Sequence, residues 1–418
     1  MNRLGGFLSY LNRVFDLSAL ALSLRDQRPY PQIPLNPIWW SLFLGEVLRV
    51  PSFLQLEAET ARGCWQKRIG TKCKMSDDLF GYVSERFELE DLRRHLVQTN
   101  KTLKRNKALE GSKIQGLLIA SIDANEQFNS RSRCCEACLQ RQIKLKDSQG
   151  EEYEVTEYFH KQVYCQINGA RLNVILDLES QRPGEEEAAT ALRLLERIRQ
   201  NYGPRFFDIV AADAWYATGP FMKRITEWGW GLVVVFKQQR YDIWKESEAL
   251  LAGKPPLTTF EEGRREVELW EVTELPFTDS YDGLIRLVRS QEQLSKRRQL
   301  GGEFQNITVD QQWRWLVNEH LDGYEAKVIW QIGHCRWKIE NNAFNELTQA
   351  WNLEHCPHHH PVAIMALLLI KVLAFNLFKA FVHLQSKLWR MGKVTLQEIR
   401  LQFYRGLEQL EPALLDSS

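Results

Sequence analysis

The chain has almost no net charge: 54 Lys and Arg stand against 53 Asp and Glu, which leaves +1 over 418 residues. That balance excludes a protein that grips nucleic acid by its global charge, so any such affinity has to come from local patches. A long unbroken apolar run is also missing. The most apolar segment, residues 362–384, contains Lys371, Asn376 and Lys379, and its uninterrupted part, residues 362–370, is too short to cross a bilayer. A buried helix is expected there. The N-terminus, MNRLGGFLSYLNRVFD, carries Arg13 and Asp16 inside its apolar stretch and is followed by no small-residue cleavage site, so no signal peptide is expected. Internal repeats and low-complexity tracts are absent. The eight cysteines lack the regular spacing of a disulfide framework, which points to reduced thiols or a metal site.

What is present is ordinary globular composition, 44% hydrophobic and 26% charged, in a chain longer than one hydrophobic core usually supports. Two or three structural units are expected. Residues 1–112 read as helical, with apolar periodicity over residues 7–22 and 38–56 around a proline-rich joint at 29–37. A third helix is expected over residues 88–109. Its basic run gathers Arg93, Arg94, His95, Lys101, Lys104, Arg105 and Lys107, either as a solvated helix face or as phosphate contacts.

From residue 113 the pattern turns to strands. GLLIASIDANE, EEYEVTEYFHKQVYCQING and RLNVILDLES are rich in β-branched and aromatic residues, and Asn168-Gly169 is a hairpin signal. EEEAATALRLLERIRQNYG follows with acids in its first turn, helical apolar spacing and Gly203 as a stop. FDIVAADAWY then reads as a strand, ATGPFMKRITEWG as a helix and GLVVVFK as a buried strand. The order β-β-β-α-β-α-β over residues 113–237 is that of an α/β fold, an RNase H-like mixed sheet with flanking helices. Residues 238–324 read as a β-rich insertion, with a helix near 241–251 and strands at REVELWEVTEL and GLIRLVRSQ. Helices return over 325–351 and 361–388, closing the core within 325–390, and residues 391–418 form a C-terminal tail.

Two acids fall where strands end, Asp123 after LLIASI and Asp213 after FDIVAA, which is where open sheets hold ligands. A third, Glu340, lies in GHCRWKIENNAFNEL, four residues after Arg336 and so on the same helical face. This segment resembles the Tyr-x2-Arg-x3-Glu-x6-Lys signature of DDE insertion-sequence transposases, the class with a β-insertion before the catalytic Glu. Arg336 and Glu340 match; Gly333 stands for the Tyr and Leu347 for the Lys, the two family residues that contact DNA phosphates. IDANEQFNS, DLESQRPGEEE, ADAWYATGPF and LEHCPHHHPVAIMALLLIKVLAFNLF resemble further pieces of such transposases, so the likeness covers roughly residues 115–385.

The resemblance implies a catalytic triad of Asp123, Asp213 and Glu340 holding two Mg²⁺ or Mn²⁺ ions. It further implies DNA contacts from Arg336 and Lys338, and cleavage at transposon ends followed by strand transfer. The partners implied are terminal inverted repeats and target DNA, bound by a homodimer. The location implied is the bacterial cytoplasm, on the nucleoid when DNA is bound. An RNase H-fold endonuclease without strand transfer, or a domesticated DNA-binding protein, are the alternatives. Asp177 and Glu179 follow a strand but lie outside the triad and are expected to tolerate amide substitution.

Two further groups stay open. Cys135 and Cys138 have zinc-knuckle spacing, with Cys134 adjacent and His160 and Cys165 downstream. A second cluster comprises His355, Cys356, His358, His359 and His360. Zinc normally takes four such ligands and one CxxC has no evident partner pair, so structural zinc and reduced thiols both stand. Of the tryptophans in the insertion, Trp244, Trp270, Trp313 and Trp315, the expected place is the core. In the resembling transposases, however, such a residue can stack on a flipped-out base, and Trp313 and Trp315, with Arg314 between them, are the candidates.

Overall fold

The computed structural model describes residues 3–168, 172–239, 241–278, 280–300, 303–384 and 394–409, with 296–300 and 303–306 described by backbone alone. The first expected helix is cut at Asp16, whose φ of +52° is left-handed, giving α1 (Arg3–Phe15) and α2 (Leu17–Leu22). The second stops at the left-handed Arg49, leaving α3 (Leu35–Leu48). Ser52 then starts α4 (Phe53–Thr60) by accepting from the Gln55 N–H at 3.1 Å. Short helices α5 (Gly63–Ile69) and α6 (Asp77–Ser84) were not foreseen, whereas α7 (Leu89–Arg105) was.

Much of the basic run on α7 is consumed by the fold. Arg93 is buried and pairs with Glu90 at 2.8 Å and Asp177 at 3.5 Å. His95 is fully buried, and burial pushes its imidazole down to about 4. Lys104 donates to the carbonyls of Arg205 and Phe206. Only Lys101, Arg105 and Lys107, beside the ion-paired Arg94, face solvent.

The core sheet contains β1 (Ile119–Ser130), β2 (Leu139–Lys146), β3 (Glu152–Ile167), β4 (Val174–Ser180), β5 (Ile209–Ala212) and β6 (Gly231–Val235). Helices α8 (Glu187–Tyr202) and α9 (Gly219–Glu227) follow β4 and β5. Strand order is β4-β3-β1-β5-β6, with β3 antiparallel to β1 and β4, and β5 parallel to β1 and β6. This is the mixed sheet with flanking helices that the order of elements led us to expect. The addition is β2, whose alternating Leu139–Lys146 pairs with the first half of β3. Gly169 of the expected hairpin lies outside the described residues.

The insertion is larger than its two expected strands. After α10 (Asp242–Leu251) come β7 (Thr258–Glu262), β8 (Arg265–Thr278), β9 (Tyr281–Leu300) and β10 (Glu303–Val317), all antiparallel neighbours. They extend the core sheet, because Trp315–Val317 of β10 pair with Val233–Val235 of β6.

The expected helix over 325–351 is built as α11 (Ala326–Cys335), a wider π-helical turn (Ile339–Phe344) and α12 (Asn345–Trp351). Next is α13 (Pro361–Leu384), long and apolar enough for a membrane yet largely buried inside the protein. Its polar residues are all used: Lys371 pairs with Glu46 at 2.8 Å, and Lys379 with Glu346 at 2.7 Å. Asn376 accepts from the Ile175 N–H and donates to its carbonyl, closing the free edge of β4 as a strand would. Finally α14 (Leu396–Gln409) stacks Phe403 on Phe7 at 5.2 Å.

The fold overturns one expectation. Asp177 and Glu179 are buried on β4 and bound by Arg93, Arg193 and Arg197, with Arg197 Nε 2.8 Å from Asp177. An amide at either site would leave buried guanidinium charge uncompensated, so tolerance is not expected. Asp177→Asn should lower stability by about 3–5 kcal/mol, the usual effect of breaking a buried pair. Denaturant unfolding checks this, and a change within about 0.5 kcal/mol would show the network to be dispensable.

Candidate active site

Strands β1 and β5 run parallel in a register that sets Ile122 beside Ala212, so Asp123 and Asp213 come next on neighbouring strands. Each carboxylate accepts from the following backbone N–H, Ala124 at 2.9 Å and Ala214 at 2.6 Å, which fixes its direction. Glu340 comes from the π-helical turn, an irregularity often found where a helix serves a site. The link is Arg336: its Nη1 lies 3.2 Å from Asp123 Oδ2 and 2.8 Å from Glu340 Oε1.

Burial pushes the Asp123 carboxyl up to about 7; Arg336 opposes the rise and nearby Glu340 reinforces it. The Arg336 side chain is only 1% exposed; its Nε and Nη2 have no hydrogen-bond partner among the described residues, and its guanidinium lies over the Trp337 ring at 4.4 Å. Besides its bond from the Ala214 N–H, Asp213 has one loose ion pair among the described residues, with Lys237 Nζ at 3.8 Å. Tyr216, buried just beyond it, feels the charges of Asp123, Asp213 and Glu187. Among the described residues the three carboxylates do not close into one tight ligand shell, although Asp123 and Glu340 share Arg336 Nη1. Carboxylate oxygens are the donors that suit hard divalent ions such as Mg²⁺ or Mn²⁺.

The outer positions of the signature now have a physical explanation. A Cβ on Gly333 would overlap the indole of Trp315, so no side chain fits there. Leu347 is fully buried in the core. Lys338 lines a cleft with Lys113, Gln115, Arg265 and His334, a cleft that none of the three carboxylates lines. Trp315 is 1% exposed and belongs to the core, because it sits where β10 joins β6. Trp313 is half-buried and stacks beside it at 6.4 Å, against His334 and Trp337. Strand alternation sends Arg314 to the other face, over Trp244 at 3.9 Å and onto Glu248, so it does not lie between two aromatic platforms.

The expectation missed two exposed residues beside Asp213: Lys237 and Trp215, the latter 78% exposed. The only hint was the text DAWY itself. Of the thiols and imidazoles, Cys135 and Cys138 come together with His160 and with His359 of the distant second cluster; Cys165 stays in the core and Cys134 is exposed.

Ionising Asp123 works against folding, because its carboxyl sits at about 7 in the fold against an ordinary 3.8. This contribution is absent below the ordinary value and grows as pH rises towards 7. Without divalent ions, Asp123→Asn should therefore be roughly neutral at acid pH and stabilising by about 2–4 kcal/mol near pH 8. Thermal melts in EDTA at the two pH values check this; equal effects at both would place the strain elsewhere.

The transposase DDE domain model matches residues 167–377, which take in Asp213 and Glu340 and begin after Asp123. No curated protein matches the chain. Among solved structures, a similar chain is piggyBac transposase in a cryo-EM structure of its synaptic complex with hairpin DNA. It is 13% identical, with 96% of this chain and 77% of that one covered and a TM-score of 0.42, too loose to assign any residue. The family match, by contrast, spans half of the sequence, and the chain belongs to the transposase DDE domain family.

Proposed function

We propose that this transposase cleaves DNA at transposon ends and joins them to target DNA at a single site formed by Asp123, Asp213 and Glu340. The observation that carries the reading is the placement of two acids side by side on register-matched parallel strands, with the third tied to the first through Arg336. Asp123, Asp213 and Glu340 would hold Mg²⁺ or Mn²⁺ ions. Such ions, when bound, activate the attacking oxygen and stabilise the leaving one in an in-line displacement at phosphorus.

The chain's own groups orient and bind. Arg336 aims Asp123 and Glu340, a role that its burial favours over direct phosphate contact. Lys237 stands at the open side of Asp213, where a phosphate would meet it. Trp215 offers an indole to a base beside the scissile bond, the role that Trp315 is too buried to fill. Water as nucleophile would free a 3′-hydroxyl, and that hydroxyl would then attack the target. Joining two inverted repeats requires two such sites, hence a homodimer on DNA.

Single replacement of Asp123, Asp213 or Glu340 by Ala should abolish cleavage and strand transfer while leaving binding to end DNA nearly unchanged. Wild-type activity should require Mg²⁺ or Mn²⁺ and vanish in EDTA. Appreciable cleavage by Glu340→Ala would sink the assignment, and cleavage by the wild type without joining would reduce the protein to an endonuclease. Trp215→Ala should lower end processing by roughly 5- to 160-fold, the equivalent of a lost 1–3 kcal/mol stack, with no loss of melting temperature. Unchanged rates would remove Trp215 from the DNA interface.

A further inference from the structure

The chain's second chemistry-bearing cluster lies at the far end of β1, away from the acids. Cys135 and Cys138 sit in the loop between β1 and β2, His160 is on β3 opposite Gln127, and His359 precedes α13. The Sγ atoms are 3.7 Å apart, and both lie 3.4 Å from His160 Nε2. His359 Nε2 is 3.4 Å from Cys138 Sγ and 3.1 Å from His160 Nε2, and the remaining pair is within 4.8 Å.

A tetrahedral zinc with bonds of about 2.3 Å to sulfur and 2.0–2.1 Å to nitrogen has ligand–ligand edges of about 3.3–3.8 Å. Five of the six edges here fall at or close to that range. The surroundings agree. The backbone N–H of Cys135 points at Cys138 Sγ at 3.3 Å, as in thiolate-holding turns. A bulge in β1 turns Phe128 onto the His359 ring at 4.3 Å, covering it. Two thiolates and two neutral imidazoles also cancel the charge of a divalent ion, which suits a half-buried place.

We propose that Cys135, Cys138, His160 and His359 bind one structural zinc ion. The ion fastens the segment after the Glu340-bearing helix to the strands that carry Asp123. Cys138 and His359 are 221 residues apart in sequence, so a single ion would close a very long loop at the point where strand and helix must keep register. The inference rests on thiol and imidazole geometry alone and does not depend on the chemistry at the carboxylates.

Full-length protein purified without chelator should contain about one zinc per chain. The ion should persist in Cys134→Ser, which alters the exposed neighbour, and fall below about a tenth in Cys138→Ser and His359→Ala. Cobalt-loaded wild type should show the visible absorption of a tetrahedral thiolate site, so the test does not depend on the variants folding. Stripping the ion should expose residues 352–360 to limited proteolysis. Wild type that neither contains nor takes up one equivalent of zinc or cobalt, or full stoichiometry in Cys138→Ser, overturns the site. Unchanged proteolysis after removal overturns the fastening role.

Discussion

A single buried guanidinium decides how the two halves of this protein meet. Arg336 is withdrawn from water at a desolvation penalty of several kcal/mol, and it meets Glu340 on its own helix at 2.8 Å, Asp123 on the sheet at 3.2 Å and the Trp337 ring at 4.4 Å. Neither carboxylate can move away without leaving a buried charge, so the strand and the helix are held at one distance. The helix pays for this in regularity: between α11 and α12 it widens into the π-helical turn that contains Glu340.

The same helix also holds the insertion. Glu292 of β9 is fully buried and accepts from Trp330 Nε1 at 2.8 Å, His334 Nε2 at 2.7 Å and Ser290 Oγ at 2.8 Å. Burial works to raise its carboxyl, but the hydrogen bonds from His334, Ser290 and Trp330 prevail and hold it below the usual carboxylate range. With Gly333 giving room to Trp315, two adjacent residues of the segment GHCRWKIEN serve packing and docking of the insertion, and the third and seventh residues after Gly333 serve the acids. The glycine at 333, where the family signature has Tyr, is thus explained by the insertion lying directly on the helix.

Local chemistry made much of this legible in sequence. Alternating β-branched strands, the acid-first helix α8 and the position of Asp213 just past β5 follow from short-range rules; Asp123, expected at a strand end, lies inside β1, because the strand runs on to Ser130 paired with β3. The i,i+4 pairing of Arg336 with Glu340 also came through, although the helix around it is irregular. What could not be read was set by contacts between distant segments. Trp313 and Trp315 look like stacking platforms until β10 pairs with β6 and buries Trp315. Asp177 and Glu179 look like free acids until α7 and α8 bring three arginines to them. The CxxC lacked partners because His359 is contributed from across the fold. β2 was passed over because an exposed ribbon strand, with Gln, Arg and Lys along it, carries little hydrophobic signal.

The near-zero net charge takes on meaning once these contacts are counted in. Arg93, Arg193, Arg197, Arg286 and Arg336 are spent on buried acids or carbonyls, so they add nothing to the outward field. With these five arginines paired inside, the site proposed above would meet DNA through a few groups such as Lys237 and Trp215 beside Asp213. Binding of this kind depends on the backbone path past the carboxylates more than on diffuse attraction. Its salt dependence would then be set by the small number of phosphates actually contacted, not by total charge.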